Sequence, residues 1–272
     1  MKNIDEITEQ LEQGVKAVFS CEQYKAYLDF ASKFYDYSVN NTILIYMQMP
    51  SASYVAGYRA WQDKFKRQVR KGETGIRILA PVPHKHIEKV IDANGKEAER
   101  EIRYNTYRAV SVFDISQTEG EEVPNPVKAL SGTVNNYTEL FERLKAVSPV
   151  PVGFEDITTG AYGYYNRVEN RIALRSGMPE QQTVKTLIHE ISHSMLHSED
   201  GEEKEAGRGA KEVQAESVAY IVCNTLGLDT SDYSFGYIAG WSSDKEVKEL
   251  VESMEVIKRT AAAIIAAVKE AA

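Results

Sequence analysis

Two histidines four positions apart, with a glutamate directly after the first, stand in LIHEISHSMLH at residues 187–197. In an α-helix, residues four apart stand one above the other on the same face. His189 and His193 can therefore offer two imidazoles to a single ion. Glu190 lies about 100° around the helix, close enough to act on water beside that ion without ligating it. Hydrolytic zinc sites place their base in this position. Leu187, Ile188 and Ile191 give the same helix a buried side.

Zinc needs a third protein ligand. His197 is eight residues from His189, about 12 Å along the axis, and cannot join the same ion. The HExxHxxGxxH pattern is absent, because Leu196 and Glu199 occupy its glycine and last histidine positions. AKEVQAESVAY, residues 210–220, carries Glu212 and Glu216 four apart. One carboxylate can close the coordination sphere while the other accepts the free ring N–H of a ligand histidine. The reading assigns Glu212 to the metal and Glu216 to that outer role. His84 and His86, two apart in an expected strand, read as exposed strand histidines. Cys21 and Cys223 have neither disulfide nor zinc spacing and read as small buried hydrophobes.

The 40 acidic and 32 basic residues leave a net charge of −8. The whole excess of acid lies after residue 130, in the half that holds the HExxH. Residues 59–77 are instead basic, opposed only by Asp63 and Glu73. No run of 18 apolar residues is present, so no membrane span is expected. The polar opening MKNIDEITEQ is unlike a signal peptide, which places the chain in the cytoplasm.

Along the chain, Ile4, Ile7, Leu11, Val15 and Val18 predict an amphipathic helix. Further helices are expected at about 22–36 and up to Pro50. GIRILAPV reads as a strand, and two more strands flank Asn94-Gly95, a hairpin turn signal. The acidic, proline-containing QTEGEEVPNP, residues 117–126, marks a boundary. Beyond it come a helix at about 136–147, two short strands turning at Glu169-Asn170, and helices at about 180–197, 206–226 and 244–270. The fold class is α+β in two domains, 1–120 and 133–272, joined by a linker at 121–132. NRIALR is expected to be a sheet edge that pairs with an extended peptide. Tyr164, Tyr165 and Tyr237 are candidates for stabilising an oxyanion.

Between Tyr54 and Arg77, aromatic residues interleave with Arg59, Lys64, Lys66, Arg67, Arg70 and Lys71. A basic groove with aromatic platforms is how single-stranded nucleic acid is held. Trp61 and Phe65, four apart on a helix, read as core; the basic residues and Tyr58 read as contacts to single-stranded DNA.

Tyr37 to Val82 (YSVNNTILIYMQMPSASYVAGYRAWQDKFKRQVRKGETGIRILAPV), VFDISQTEG, NRIALRSG, TLIHEISHSMLH and KEVQAESVAYIV together resemble the ArdC-type antirestriction proteins of conjugative plasmids and transposons. The resemblance implies an N-terminal single-stranded DNA-binding domain and a C-terminal zincin-like metallopeptidase domain. It also implies a role in shielding incoming DNA from restriction enzymes. Lys66 departs from the family, whose members often have glycine there. Three functions stay open: a zinc peptidase with a DNA grip, a DNA-protecting protein whose zinc site is intact but idle, and a peptidase whose basic region recruits a protein.

Overall fold

The computed structural model describes residues 4–19, 21–91, 97–123 and 137–270. Three helices open it: α1 Ile4–Val18, α2 Cys21–Lys33 and α3 Val39–Gln48. Of the stripe predicted for α1, Ile7, Leu11, Val15 and Val18 are buried, with Ile7 and Val15 fully enclosed; the Ile4 side chain lies outside the described residues. Ser38 caps α3 by accepting the Asn41 N–H at 3.3 Å. The helix stops at Met49, one residue before Pro50, as the restriction on residues preceding proline requires.

The sheet region runs β1 Val55–Gly57, α4 Tyr58–Asp63, β2 Arg67–Val69, β3 Ile76–Ile91 and β4 Glu97–Asp114. A 3-10 turn, Ile115–Gln117, then leads to β5 Thr118–Gly120. β3 and β4 form a long antiparallel ribbon from Ile76↔Val112 to Ile91↔Glu97. Its Asn94-Gly95 turn lies outside the described residues. In the strand order β1-β4-β3, β3 is an edge. That position tolerates Pro81 and Pro83, which cannot donate to a ladder. β2 and β5 pair separately.

The second half contains α5 Tyr137–Val147, β6 Val152–Glu155, β7 Gly163–Asn166 and β8 Arg171–Arg175. Then follow α6 Glu180–Leu196, α7 Arg208–Thr225, the short α8 Ile238–Ser242 and α9 Val247–Glu270. The strand order is β6-β8-β7, with β6 parallel and β7 antiparallel to β8. This corrects one expectation. NRIALR forms β8, the central strand, because β6 covers the side that a local hairpin would have left open. Among the described residues the edges of this sheet are β6 and β7, and β7 is the one beside the following helix.

The largest buried cluster crosses the expected boundary. Ile7 and Val15 of α1 and Leu28 of α2 share it with Val218 and Ile221 of α7 and Ile257 and Ile264 of α9. Each such enclosed aliphatic side chain contributes roughly 1.5–3 kcal/mol. Polar ties reinforce the packing. The Tyr24 and Ser217 hydroxyls meet at 2.8 Å, and Asp29 Oδ1 accepts from Asn224 at 2.7 Å. A second cluster, around Phe30, Phe34, Ile45, Ile78 and Val112, lies beneath the first sheet. The expected linker falls largely outside the described residues, and the two halves it joins share one core. Among the described residues no helix is long and apolar enough to cross a membrane.

Candidate functional site

α6 carries the HExxH motif with its hydrophobic side fully buried: Leu187, Ile188 and Ile191 are all inaccessible to solvent. α7 packs alongside, and its Glu212 and Glu216 face the two histidines. His189 Nε2 and His193 Nε2 lie 3.1 Å apart. Glu212 Oε2 stands 3.7 Å from the first and 3.8 Å from the second. These three residues form a cluster able to hold a metal ion. Their fit to one can be tested on distances alone. Nitrogens bound at about 2.0–2.1 Å around a tetrahedral ion stand about 3.3 Å apart, close to the separation seen.

Glu216 approaches the opposite side of His189, with Oε2 3.4 Å from Nδ1. Burial pulls the His189 ring towards its neutral form, but Glu216, Glu190 and Glu212 together hold its pKa above the usual histidine value. Glu190 is 7% exposed. Burial raises its pKa, against the two imidazoles and a hydrogen bond from the Tyr165 main chain, which lower it. That bond ties the base to the edge strand β7. Gly163 lets β7 come so close to α6: a Cβ there would lie 2.7 Å from Thr186 Cγ2 and 2.9 Å from the Ala173 carbonyl. An open groove of about 640 Å³ runs past His189, Glu190 and His193, with Tyr165 and Arg208 on its walls. A smaller hollow of about 300 Å³ continues on the other side, between Tyr162, Lys185 and Tyr233.

The three tyrosines separate. Tyr164 donates to Glu155 at 2.7 Å and Tyr165 to Asn170 Oδ1 at 3.0 Å, so both hydroxyls are engaged in the sheet. Tyr237 instead lines a hollow with Glu212, Glu216 and Trp241. Sequence reasoning missed a further participant. His197, 2% exposed, places Nδ1 2.9 Å from His193 Nδ1 and Nε2 3.0 Å from Gln214 Oε1. Burial pushes its pKa down to about 4. A histidine one turn beyond His193 was the only signal available.

In the basic segment, Trp61 is fully buried and donates to the Phe113 carbonyl at 2.9 Å. Arg67 is spent on the fold, donating to Thr118 Oγ1 at 2.7 Å, to the Thr118 and Gly120 carbonyls and to Glu121. Arg70 binds Glu73 and the Ser116 carbonyl, each at 2.7 Å. Arg59, Lys64 and Lys71 are exposed, as is Tyr58 at 45%. Lys66 is exposed too, and its backbone is left-handed, φ 53°, which explains why glycine suits that position. His86 is exposed, whereas half-buried His84 stacks on Tyr104 and meets Thr106 Oγ1 at 2.7 Å. Cys223 is buried; the Cys21 side chain lies outside the described residues.

Residues 2–113 match the family described as the N-terminal domain of anti-restriction factor ArdC. The chain is 26% identical over 273 aligned positions to an uncharacterized protein of Bacillus anthracis, covering 87% of this chain and 46% of that protein. It thus spans about half the length of that relative. Among solved structures, the metal-free antirestriction ArdC protein from the R388 plasmid superposes with a TM-score of 0.56 at 17% identity, covering 86% of each chain. The Mn(II)-bound structure of that protein gives 0.49 at 18% identity, over 86% of this chain and 83% of that one.

Proposed function

We propose that the chain, whose residues 2–113 match the N-terminal domain of anti-restriction factor ArdC, grips single-stranded DNA with its first half and hydrolyses peptide bonds at a metal centre in its second. The work divides near residues 120–133, although the core does not. His189, His193 and Glu212 hold the ion, and Glu216 orients His189. The observation that supports this reading is the convergence of His189 Nε2, His193 Nε2 and Glu212 Oε2 beside a buried glutamate, in an open groove bordered by a free strand edge.

A bound zinc ion supplies a Lewis acid that polarises a carbonyl and makes water nucleophilic near neutral pH. The residues do the rest. β7 offers its unpaired edge to an extended peptide, whose main chain aligns beside α6. Glu190 takes a proton from the attacking water on its carboxylate and delivers it to the departing amine. Tyr237, beside Glu212, donates its hydroxyl to the oxyanion. For DNA, Arg59, Lys64, Lys66 and Lys71 neutralise phosphates, and Tyr58 offers a stacking face.

Two measurements test the proposal. Zinc content and cleavage of a peptide library should both be lost in His189→Ala, whereas Glu190→Gln should keep zinc and lose cleavage. If Glu190→Gln protects DNA from restriction as well as wild type does, protection belongs to DNA binding alone. For single strands, log affinity against log salt should fall with a slope near −3, about −0.7 for each of four phosphate contacts. Each Arg or Lys removed should flatten it by one step; a salt-independent affinity would sink the DNA assignment.

A further inference from the structure

We infer that Glu203, Gln214 and His197 form a directional hydrogen-bond chain that fixes the proton of His193 on Nδ1 and presents its Nε2 to the ion. The inference rests on the assignment of His189, His193 and Glu212 as metal ligands. It starts outside the site, at a carboxylate. Ionised Glu203 only accepts, so the group 3.1 Å from its Oε2 must be the Gln214 amide nitrogen. Turning the amide over would set two oxygens against each other. The Gln214 oxygen then faces His197 Nε2 at 3.0 Å and, being an acceptor only, requires a proton there.

A neutral His197 protonated at Nε2 has a bare Nδ1. That lone pair lies 2.9 Å from His193 Nδ1, which must donate to it. The remaining His193 nitrogen, Nε2, is left unprotonated and aimed at His189 Nε2 and Glu212 Oε2. With both histidines neutral, every polar atom along the chain has one role. His197 and Gln214 are each 2% exposed, so water does not substitute for a missing link.

The fold builds the far end deliberately. After α6 the chain doubles back, and the Glu203 N–H donates to the Leu196 carbonyl at 3.1 Å. Gly201 makes this turn possible, since a Cβ there would lie 2.3 Å from the Leu196 oxygen. The return places the Glu203 carboxylate over Gln214 on α7. The two ligand histidines are thus set by different partners: His189 by Glu216 directly, and His193 by a carboxylate three groups away. His197 is a positioning residue, not a ligand.

Partners of this kind commonly change metal affinity by 10–100-fold when removed. The test uses the full chain stripped of metal and labelled with nitrogen-15 histidine. Long-range proton–nitrogen NMR should find His193 protonated at Nδ1 and His197 at Nε2 before any metal is added. Competition with a chromophoric chelator should find Zn(II) affinity 10–100-fold weaker in Gln214→Leu. Glu203→Gln, at a half-exposed position and nearly isosteric, keeps the fold testable if Gln214→Leu does not; it should mix the His193 tautomers and weaken zinc binding. A His193 proton on Nε2 in the wild type, or wild-type zinc affinity in both variants while His189→Ala loses the metal, would overturn the inference. Wild-type zinc binding by His189→Ala would instead overturn the ligand assignment beneath it.

Discussion

Replacing Lys258 with methionine should change how stability responds to pH. Lys258 lies on α9, 3% exposed, and its ammonium donates to the Phe34 carbonyl at 2.9 Å and to Thr42 Oγ1. Burial pushes its pKa down from the usual 10.5 to about 7, against the opposing pull of Glu255 and Asp36. Between those values the unfolded chain holds a proton that the folded chain has released. Stability from this residue is therefore fullest above 10.5 and is lost as pH falls to about 7. Each pH unit is worth about 1.4 kcal/mol, so the window amounts to on the order of 5 kcal/mol. Methionine removes the charge but leaves two oxygens with one donor fewer, costing about 1–3 kcal/mol for each group left unsatisfied. The variant should be the more stable protein near pH 6 and the less stable one near pH 10. Urea unfolding of both proteins at several pH values measures this. Parallel stability profiles from pH 7 to 10 would refute the reasoning, whatever the absolute difference between them.

Glu212→Ala should lose zinc outright, while Glu216→Ala should keep it at reduced affinity, as expected for ligand and outer partner; metal analysis after dialysis showing the reverse would exchange their roles. Lys66→Gly should leave stability unchanged or raise it by up to about 1 kcal/mol, since it relieves a left-handed backbone, and thermal melts will register any larger loss as an error here. Asp114→Ala should destabilise by about 3 kcal/mol or more, because this buried carboxylate accepts from the Ser53, Tyr54 and Ser116 amides; a denaturation midpoint equal to wild type would contradict it.

Local features were legible in the sequence. Apolar spacing found α1, and Glu169-Asn170 marked a turn that contains left-handed Asn170, φ 49°. The facing of His189 and His193 was legible because a helical repeat of four needs no knowledge of the rest of the chain. What escaped depended on distant partners. The central place of β8 comes from parallel pairing with β6, which leaves no turn signature. The role of His197 needs Gln214, 17 residues on, and Glu203 from the intervening loop. Arg67 and Arg70 looked like DNA contacts because charge is visible in sequence, whereas the carbonyls they satisfy are not. An acidic, proline-containing stretch likewise signals a break in local structure but says nothing about which faces meet across it.

The shared core has a bearing on the order in which the molecule can form. Tyr24 and Ser217 are 193 residues apart in sequence, Phe34 and Lys258 are 224 apart, and Tyr35 accepts from Lys269 across 234. A ribosome adds roughly 5–20 residues per second, so α1, α2 and α3 emerge about ten seconds or more before the helices that cover them. During that interval Val15, Tyr24 and Leu28 have no complete surface on which to settle. Contacts this remote also slow folding, since chain closure comes before the contacts that repay it. The nascent first half is thus the stage most exposed to aggregation and proteolysis, until α7 and α9 arrive to cover it.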